Sequence, residues 1–399
     1  MDTVLANRNS DSPSVEVTTA HNLFAAPIVI LYLLSFVSGF SIGVFNPMIS
    51  TLMKMQGVSD IGIGVNSTIY FATLAVAALI LPRFLSNQTY RMQIVAGLII
   101  TASSALLYPQ LSDYASWCLL RFLMGIGISL YMVNGQTLLN TLAWQEKRSA
   151  INGLYTLSFG VGFGLGPVVG AYLFEINALL AFASGAMLLS FVAIACLRLL
   201  PAFQSQSVER HDHSVFWVIC LALFAIFAYG FAEATLVSIF PLFLLALDAK
   251  VEQMGIVFGA FTLGSLLFVY PLTRLSDKIG VEKVLRGILV SGAVLAILLS
   301  AQQQLSILFY SIAFLSGAAI GCVYPLAMSY TGSRLRHLKL QSGMSLLTMA
   351  FAFGCAAGPV ISSIVIGFFN IHHVFTATAV LLLVSFFLSF TFKPQSAKA

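Results

Sequence analysis

Charge is the scarcest thing in this 399-residue chain: Asp, Glu, Lys and Arg together make 8% of it, against roughly 25% in an average soluble domain. That shortage excludes a soluble globular protein, and with 59% hydrophobic residues and a mean hydropathy of +0.96 it places the chain in a membrane. Paired cysteines are missing too. Cys118, Cys196, Cys220, Cys322 and Cys355 sit in or beside apolar runs with no Cys-x-x-Cys among them, which excludes a disulfide framework or a zinc site. No glycine-lysine phosphate loop, His-Glu-x-x-His or Gly-x-Ser-x-Gly occurs, so neither ATP-driven transport nor hydrolysis by this chain is expected, and nothing resembles a haem or iron-sulfur framework. No cofactor is expected beyond an ion gradient. His211-Asp212-His213 and His372-His373 are loop clusters without a complete ligand set, so no metal is assigned to them. The polar stretch up to Asn22 lacks a short apolar core, and no cleaved leader is expected.

Present in abundance are apolar runs of spanning length. Six fall between Phe24 and Leu200 and six between Val215 and Phe392, enough for twelve crossings of about 20 residues each. The longest internal polar stretch divides them, giving an expected organisation of 1–200, a linker at 201–214, and 215–399. With both termini and every second loop on one side, 16 of the 19 Lys and Arg residues gather there, Lys54, Lys250 and Arg121 excepted. Under the positive-inside rule that side is the cytoplasm. The net charge of +5 is accordingly a topology signal and not a nucleic-acid footprint.

The halves echo one another. Gly162, Gly166 and Gly170 stand four apart in an apolar run with Pro167 among them, and Gly354, Gly358 and Pro359 repeat the spacing 192 residues later. Four-residue spacing lines glycines along one helix face, where a neighbouring backbone can approach. Alone it marks a small-residue contact; repeated at half the chain length it marks architecture. Gly39 and Gly230 lie 191 apart, as do Arg83 and Arg274, and Gly125 and Gly317 lie 192 apart. An even number of spans per half makes the copies run the same way, and parallel repeats leave a substrate path between them.

These residues resemble the major facilitator superfamily over essentially the whole chain. Gly162, Gly166, Pro167 and Gly170 are similar to the antiporter signature of the fifth span, with Ala171 where a further glycine is usual. Arg121-Phe-Leu-Met-Gly125-Ile-Gly127 is similar to the buried-arginine motif of the fourth. Leu275-Ser-Asp277-Lys278-Ile-Gly280 is similar to the gating-loop motif, with Thr273 replacing its first glycine and Val281-Glu282 standing where bases are usual. The first-half copy of that loop retains only Arg91, with Asn87 near the acidic position, which leaves Asp277 as the main inner-gate acid. The resemblance implies an all-α membrane protein of twelve transmembrane helices, arranged as two six-helix parallel repeats, working by alternating access close to the drug and proton antiporters.

Two charges lie well inside spans, and each carries two readings. Arg121 shares a helical face with Gly125, Ser129, Met132, Gln136 and Asn140. It is either a strut satisfied by carbonyls or a cavity-facing cation that holds an anionic substrate group or controls the proton of a nearby acid, a proton-coupling role shared with Glu233. Glu233 sits among Ile226, Tyr229, Val237 and Phe240, and is either a proton-coupling carboxyl or a span-end acid in headgroup water. At 1.5 Å per residue Arg121 lies about 6 Å below Trp117 and Glu233 about 27 Å above Val215, so both fall in the outer part of a core about 30 Å thick. The two are therefore expected to approach one another when the outer side closes. Tyr32, Ser35, Gly39 and Asn46 share a face of span one; because the resemblance implies that the first and seventh spans line the cavity, they join Tyr229, with Gln136 and Tyr324, as the candidate substrate lining, unless they only cap interhelical hydrogen bonds.

The sequence thus points to a bacterial inner-membrane secondary transporter, with both termini cytoplasmic, moving a small amphipathic molecule by proton antiport. The alternative is proton-coupled uptake of an anionic metabolite or metal chelate anchored by Arg121. A non-transporting membrane enzyme or receptor lacks both a catalytic constellation and an extramembrane domain. The expected partners are the bilayer and a small molecule, with the chain acting as a monomer.

Overall fold

The computed structural model describes residues 23–85, 87–143, 147–204, 213–335 and 337–391. Arg8, Arg210, Arg336, Lys393, Lys398, the His211-Asp212 pair and most of the 201–214 linker lie outside them. Twelve helices among the described residues are long and apolar enough to cross a membrane: Ala26–Met55, Asp60–Pro82, Tyr90–Gln110, Tyr114–Leu142, Ala150–Ile176, Ala178–Leu199, Phe216–Ser238, Val251–Ile279, Val281–Ser300, Ile307–Arg334, Ser342–Phe368 and Ile371–Phe390. They are spans one to twelve below. Local chemistry sets several starts. The side chains of Ser59, Thr89, Asp113, Asn177 and Ser306 each accept a hydrogen bond from a first-turn amide that the helix itself leaves unpaired.

Two apolar runs read as single helices are broken. The helix of span seven stops at Ser238 and resumes over Phe240–Ala246, and span ten is split into Ile307–Ile320 and Val323–Arg334. Each restart puts a proline, Pro241 or Pro325, in the first turn, where its missing N–H costs nothing. Proline alone does not decide the matter, because Pro47, Pro82, Pro167, Pro271 and Pro359 lie inside continuous helices.

The repeat is visible in what each glycine meets. A Cβ at Gly162 would collide with the Phe36 carbonyl, and one at Gly354 with that of Phe227. Gly166 meets the Phe40 carbonyl as Gly358 meets that of Phe231, Gly39 meets Phe159 as Gly230 meets Phe351, and Gly125 meets Tyr70 as Gly317 meets Phe261. Each pair matches residues 191 or 192 apart. The glycine ridges of spans five and eleven therefore fasten these helices to spans one and seven of their own halves, through backbone contacts that no other residue permits.

Contacts between the halves use other surfaces. Span five meets span eight through Gly164 against Thr262 and through Pro167 and Ala171 against Gly255. Span two meets span eleven where Gly64 faces Pro359 and Ser363, and where Thr68 donates to the Ala356 carbonyl at 2.9 Å. The amide of Glu252 donates to Glu175 Oε2 at 3.1 Å. All of these lie toward the face opposite the basic loops. Toward the basic face, Gln136, Thr137, Thr141 and Thr348 are exposed, and a Cβ at Gly153 or Gly332 would meet nothing. The seam is thus shut at one end and parted at the other.

Candidate functional site

Glu233 sits where the parted seam ends. The backbone contact of Gly230 with Phe351, and that of Gly354 with Phe227, press spans seven and eleven together, so Tyr229 and Glu233 stand beside Phe351 and Cys355. The restart of span ten at Val323 brings in Tyr324. Rings of Tyr229, Tyr324 and Phe351 form a triangle with centroids 5.9, 5.8 and 5.8 Å apart. Glu233 stands one turn beyond Tyr229, its polar neighbour, and close to Tyr324 and Cys355. It is partly exposed, as are the three rings. Among the described residues no cation lies within 4 Å of its carboxylate. Cys355, 4% exposed, is an electrostatic neighbour of both Glu233 and Tyr70 of the other half, and at the next residue the Thr68–Ala356 bond begins the closure.

Arg121 is elsewhere. It is 0% exposed, with Nε donating to Asn66 Oδ1 and Nη1 to Asn46 Oδ1, both at 2.9 Å, and Nη2 reaching Ser67 Oγ at 3.5 Å. Its guanidinium lies 5.1 Å from the Tyr70 ring centroid. Tyr108 donates to the same Asn66 oxygen at 3.1 Å and stacks on Trp117, sealing the far side. Three expectations are corrected here. Arg121 does not face the seam. Asn46, 1% exposed, is bound to Arg121 and to the Ile42 carbonyl and does not line the seam. And with the halves in contact at this end, Arg121 and Glu233 form no ion pair; the Tyr70 ring, 3% exposed, stands beside the guanidinium on the way to Cys355. Similar depth along two helices does not fix their lateral separation.

The remaining positions are scattered along the seam and its ends. Tyr32 is partly exposed and its buried hydroxyl has no hydrogen-bond partner; Gln136 is exposed toward the basic face. Asp277 is exposed, with no ion pair among the described residues. Glu282, where the motif would carry a base, instead accepts from Arg286 at 2.6 Å and Arg334 at 3.1 Å, tying spans nine and ten at the basic face. His372 and His373 meet the Ser300 carbonyl and Thr376. Sequence reasoning missed Phe351, Cys355, Asn66 and Tyr70; only Asn66, a polar residue in an apolar run, gave a signal.

The sequence profile of the Major Facilitator Superfamily matches residues 31–220 and 222–399. The chain belongs to that superfamily. It is 30% identical over 339 residues to YfkF, an MFS-type transporter of Bacillus subtilis (strain 168), covering 83% of this chain and 86% of the relative. It is 24% identical over 348 residues to the MFS-type transporter YcaD of Escherichia coli, covering 84% and 88%. Among solved structures, a bacterial homologue of the human lysosomal transporter Spinster, inward-facing and occupied, superimposes with a TM-score of 0.76 at 13% identity, covering 93% of this chain and 98% of that one. The nucleoside transporter NupG gives 0.70 at 16%, covering 93% and 99%. At these identities the structures speak for the fold. The chain is therefore a multi-pass membrane transporter of the superfamily, not an enzyme, with two six-helix repeats about a central seam.

Proposed function

We propose that this superfamily member is a proton-coupled exporter of a small amphipathic molecule, acting as a monomer in the bacterial inner membrane with both termini in the cytoplasm. The gathering of Lys and Arg on one face supports that orientation, and under it the seam described above opens to the cytoplasm. Residues 1–200 and 215–399 rock about the seam, as parallel repeats do, while the glycine contacts keep spans one and five, and seven and eleven, fixed to each other. Asp277, exposed and without an ion pair among the described residues, is available to the opposite half when the cytoplasmic end shuts.

One observation carries the reading: a carboxylate, partly exposed and without a cation partner among the described residues, at the apex of the seam beneath the closure. Acids at membrane depth are costly and mark ion pathways. A proton and a substrate that compete for Glu233 cannot cross together, and that competition gives antiport. Uptake of an anion anchored by Arg121 lacks the same support, since Arg121 is closed off by Asn46 and Asn66. The test is flux in proteoliposomes. Glu233→Gln should abolish uphill transport driven by an imposed pH gradient and make whatever substrate exchange survives the weakened binding independent of pH; retained uphill transport refutes the coupling role.

A further inference from the structure

Resting on that reading, we propose that the molecule this site takes is an organic monocation carrying an aromatic or similarly flat apolar group, held between the Glu233 carboxylate and the Tyr229, Tyr324 and Phe351 rings. Tyr229 and Phe351 stack on one another while Tyr324 stands tilted to the first and edge-on to the second, so the trio is a packed aromatic wall, and the side of it left partly exposed attracts a cation within about 6 Å of a ring centroid. One helical turn, about 5.4 Å, separates Tyr229 from Glu233, so a single charge reaches a ring and the carboxylate together while the apolar body lies on the other two rings.

The alternatives fit worse. An anion would meet an uncompensated carboxylate, and the one base in the middle of a span, Arg121, is 0% exposed and already donating to two amide oxygens. An inorganic cation needs several oxygen, nitrogen or sulfur ligands, and among the described residues no group of three His, Cys, Asp or Glu side chains converges. A highly hydroxylated neutral molecule needs many hydrogen-bonding partners, whereas the wall here is mostly aromatic ring, with the two phenols as its polar points beside the carboxylate.

The test uses the full chain in detergent, with tetraphenylphosphonium as probe and tetraphenylborate as its anionic counterpart of the same shape. Saturable binding of the phosphonium is expected, displaced by aryl quaternary ammonium ions and not by the borate or an aryl carboxylate. Glu233→Gln should weaken it at least tenfold, Tyr229→Leu three- to tenfold, and Tyr229→Phe, which keeps the ring, less than threefold. Unchanged thermal melting of the variants separates lost binding from lost folding. Preference for the borate, or phosphonium binding indifferent to Glu233→Gln, overturns the proposal. Flux into proteoliposomes separates it from the reading beneath it. Transport of an aryl carboxylate without phosphonium binding refutes the cation and leaves the transporter; phosphonium binding with no flux under any gradient supports the site and refutes the exporter. Neither binding nor flux overturns both.

Discussion

Arg121 and Asn46 form a pair whose energetics the structure orders in advance. Replacing Arg121 by Met takes the 2.9 Å donor from Asn46 Oδ1, while Asn66 Oδ1 keeps its bond from Tyr108. A buried acceptor deprived of its donor costs about 1–3 kcal/mol. Against this, the guanidinium is fully buried with no carboxylate within 4 Å among the described residues, and removing a buried charge in favour of an apolar side chain is often neutral or stabilising by about 1–4 kcal/mol. The two effects oppose, so Arg121→Met should change stability by less than about 2 kcal/mol. Asn46→Leu alone does the reverse: it leaves the cation in place and removes its acceptor, a charged hydrogen bond of about 1.5–3 kcal/mol with nothing to offset it. The double variant has neither cation nor orphan and should exceed Arg121→Met by about 1–3 kcal/mol. The expected order of stability is Asn46→Leu lowest, Arg121→Met next, and the double variant highest, read from detergent-titrated unfolding of the purified protein. If the double variant loses the sum of the two single losses, the residues are independent and the reasoning fails.

Three further outcomes follow from the packing. A Cβ at Gly166 would stand 2.5 Å from the Phe40 carbonyl and one at Gly358 2.6 Å from that of Phe231, so either Gly→Ala change should cost about 1–3 kcal/mol, whereas Gly153→Ala, in open space, should cost nothing measurable in the same melting assay. A Cβ at Gly64 lies 2.6 Å from that of Ser363, near disulfide range after a small shift; Gly64→Cys with Ser363→Cys should cross-link on oxidation and stop transport until reductant is added, and undiminished flux in the cross-linked protein would show that this end does not open. Asp113 caps span four through Ser116, whose side chain and amide hold its carboxyl below the usual aspartate range. Protection of the Ser116 amide in hydrogen exchange should therefore be complete at neutral pH, persist as pH falls past the ordinary aspartate pKa near 3.9, and be lost only below it.

The fold was legible because its main signal is one-dimensional: a run of apolar residues long enough to cross a bilayer needs no tertiary information to be recognised. The repeat was legible for the same reason, since glycines at a spacing of 191–192 register without knowing what they touch. What they touch was not legible. The ridge at Gly162, Gly166 and Gly170 packs on span one, and nothing in its spacing chooses span one over span eight. The breaks at Ile239 and Gly321 depend on which prolines the surrounding helices allow to remain helical, which is a tertiary question. Glu233, Tyr229 and Tyr324 stood out by residue type. Phe351 and Cys355 did not, because in an apolar span a phenylalanine facing the seam has the same sequence signature as one facing lipid.

The departures from the repeat are where the chemistry collects. Glu233 has Ile42 as its counterpart, Arg121 has the buried Ala313, and Tyr70 beneath the guanidinium has Phe261, each pair 191 or 192 apart. The glycine contacts, by contrast, match in both halves. A symmetric pair of bundles supplies two equivalent ways to close the seam, one at each end, and symmetry alone makes neither preferable. A preference has to come from residues the halves do not share. Arg121 is surrounded by amide and hydroxyl oxygens of spans one and two and ties span four to them within its own bundle. Glu233 has no such cage among the described residues, so under the proposed antiport the occupant of its carboxylate, proton or substrate, would change how readily the spans around it are covered. On that proposal one half would serve mainly as a rigid wall, and the other would carry the group whose occupancy biases the motion.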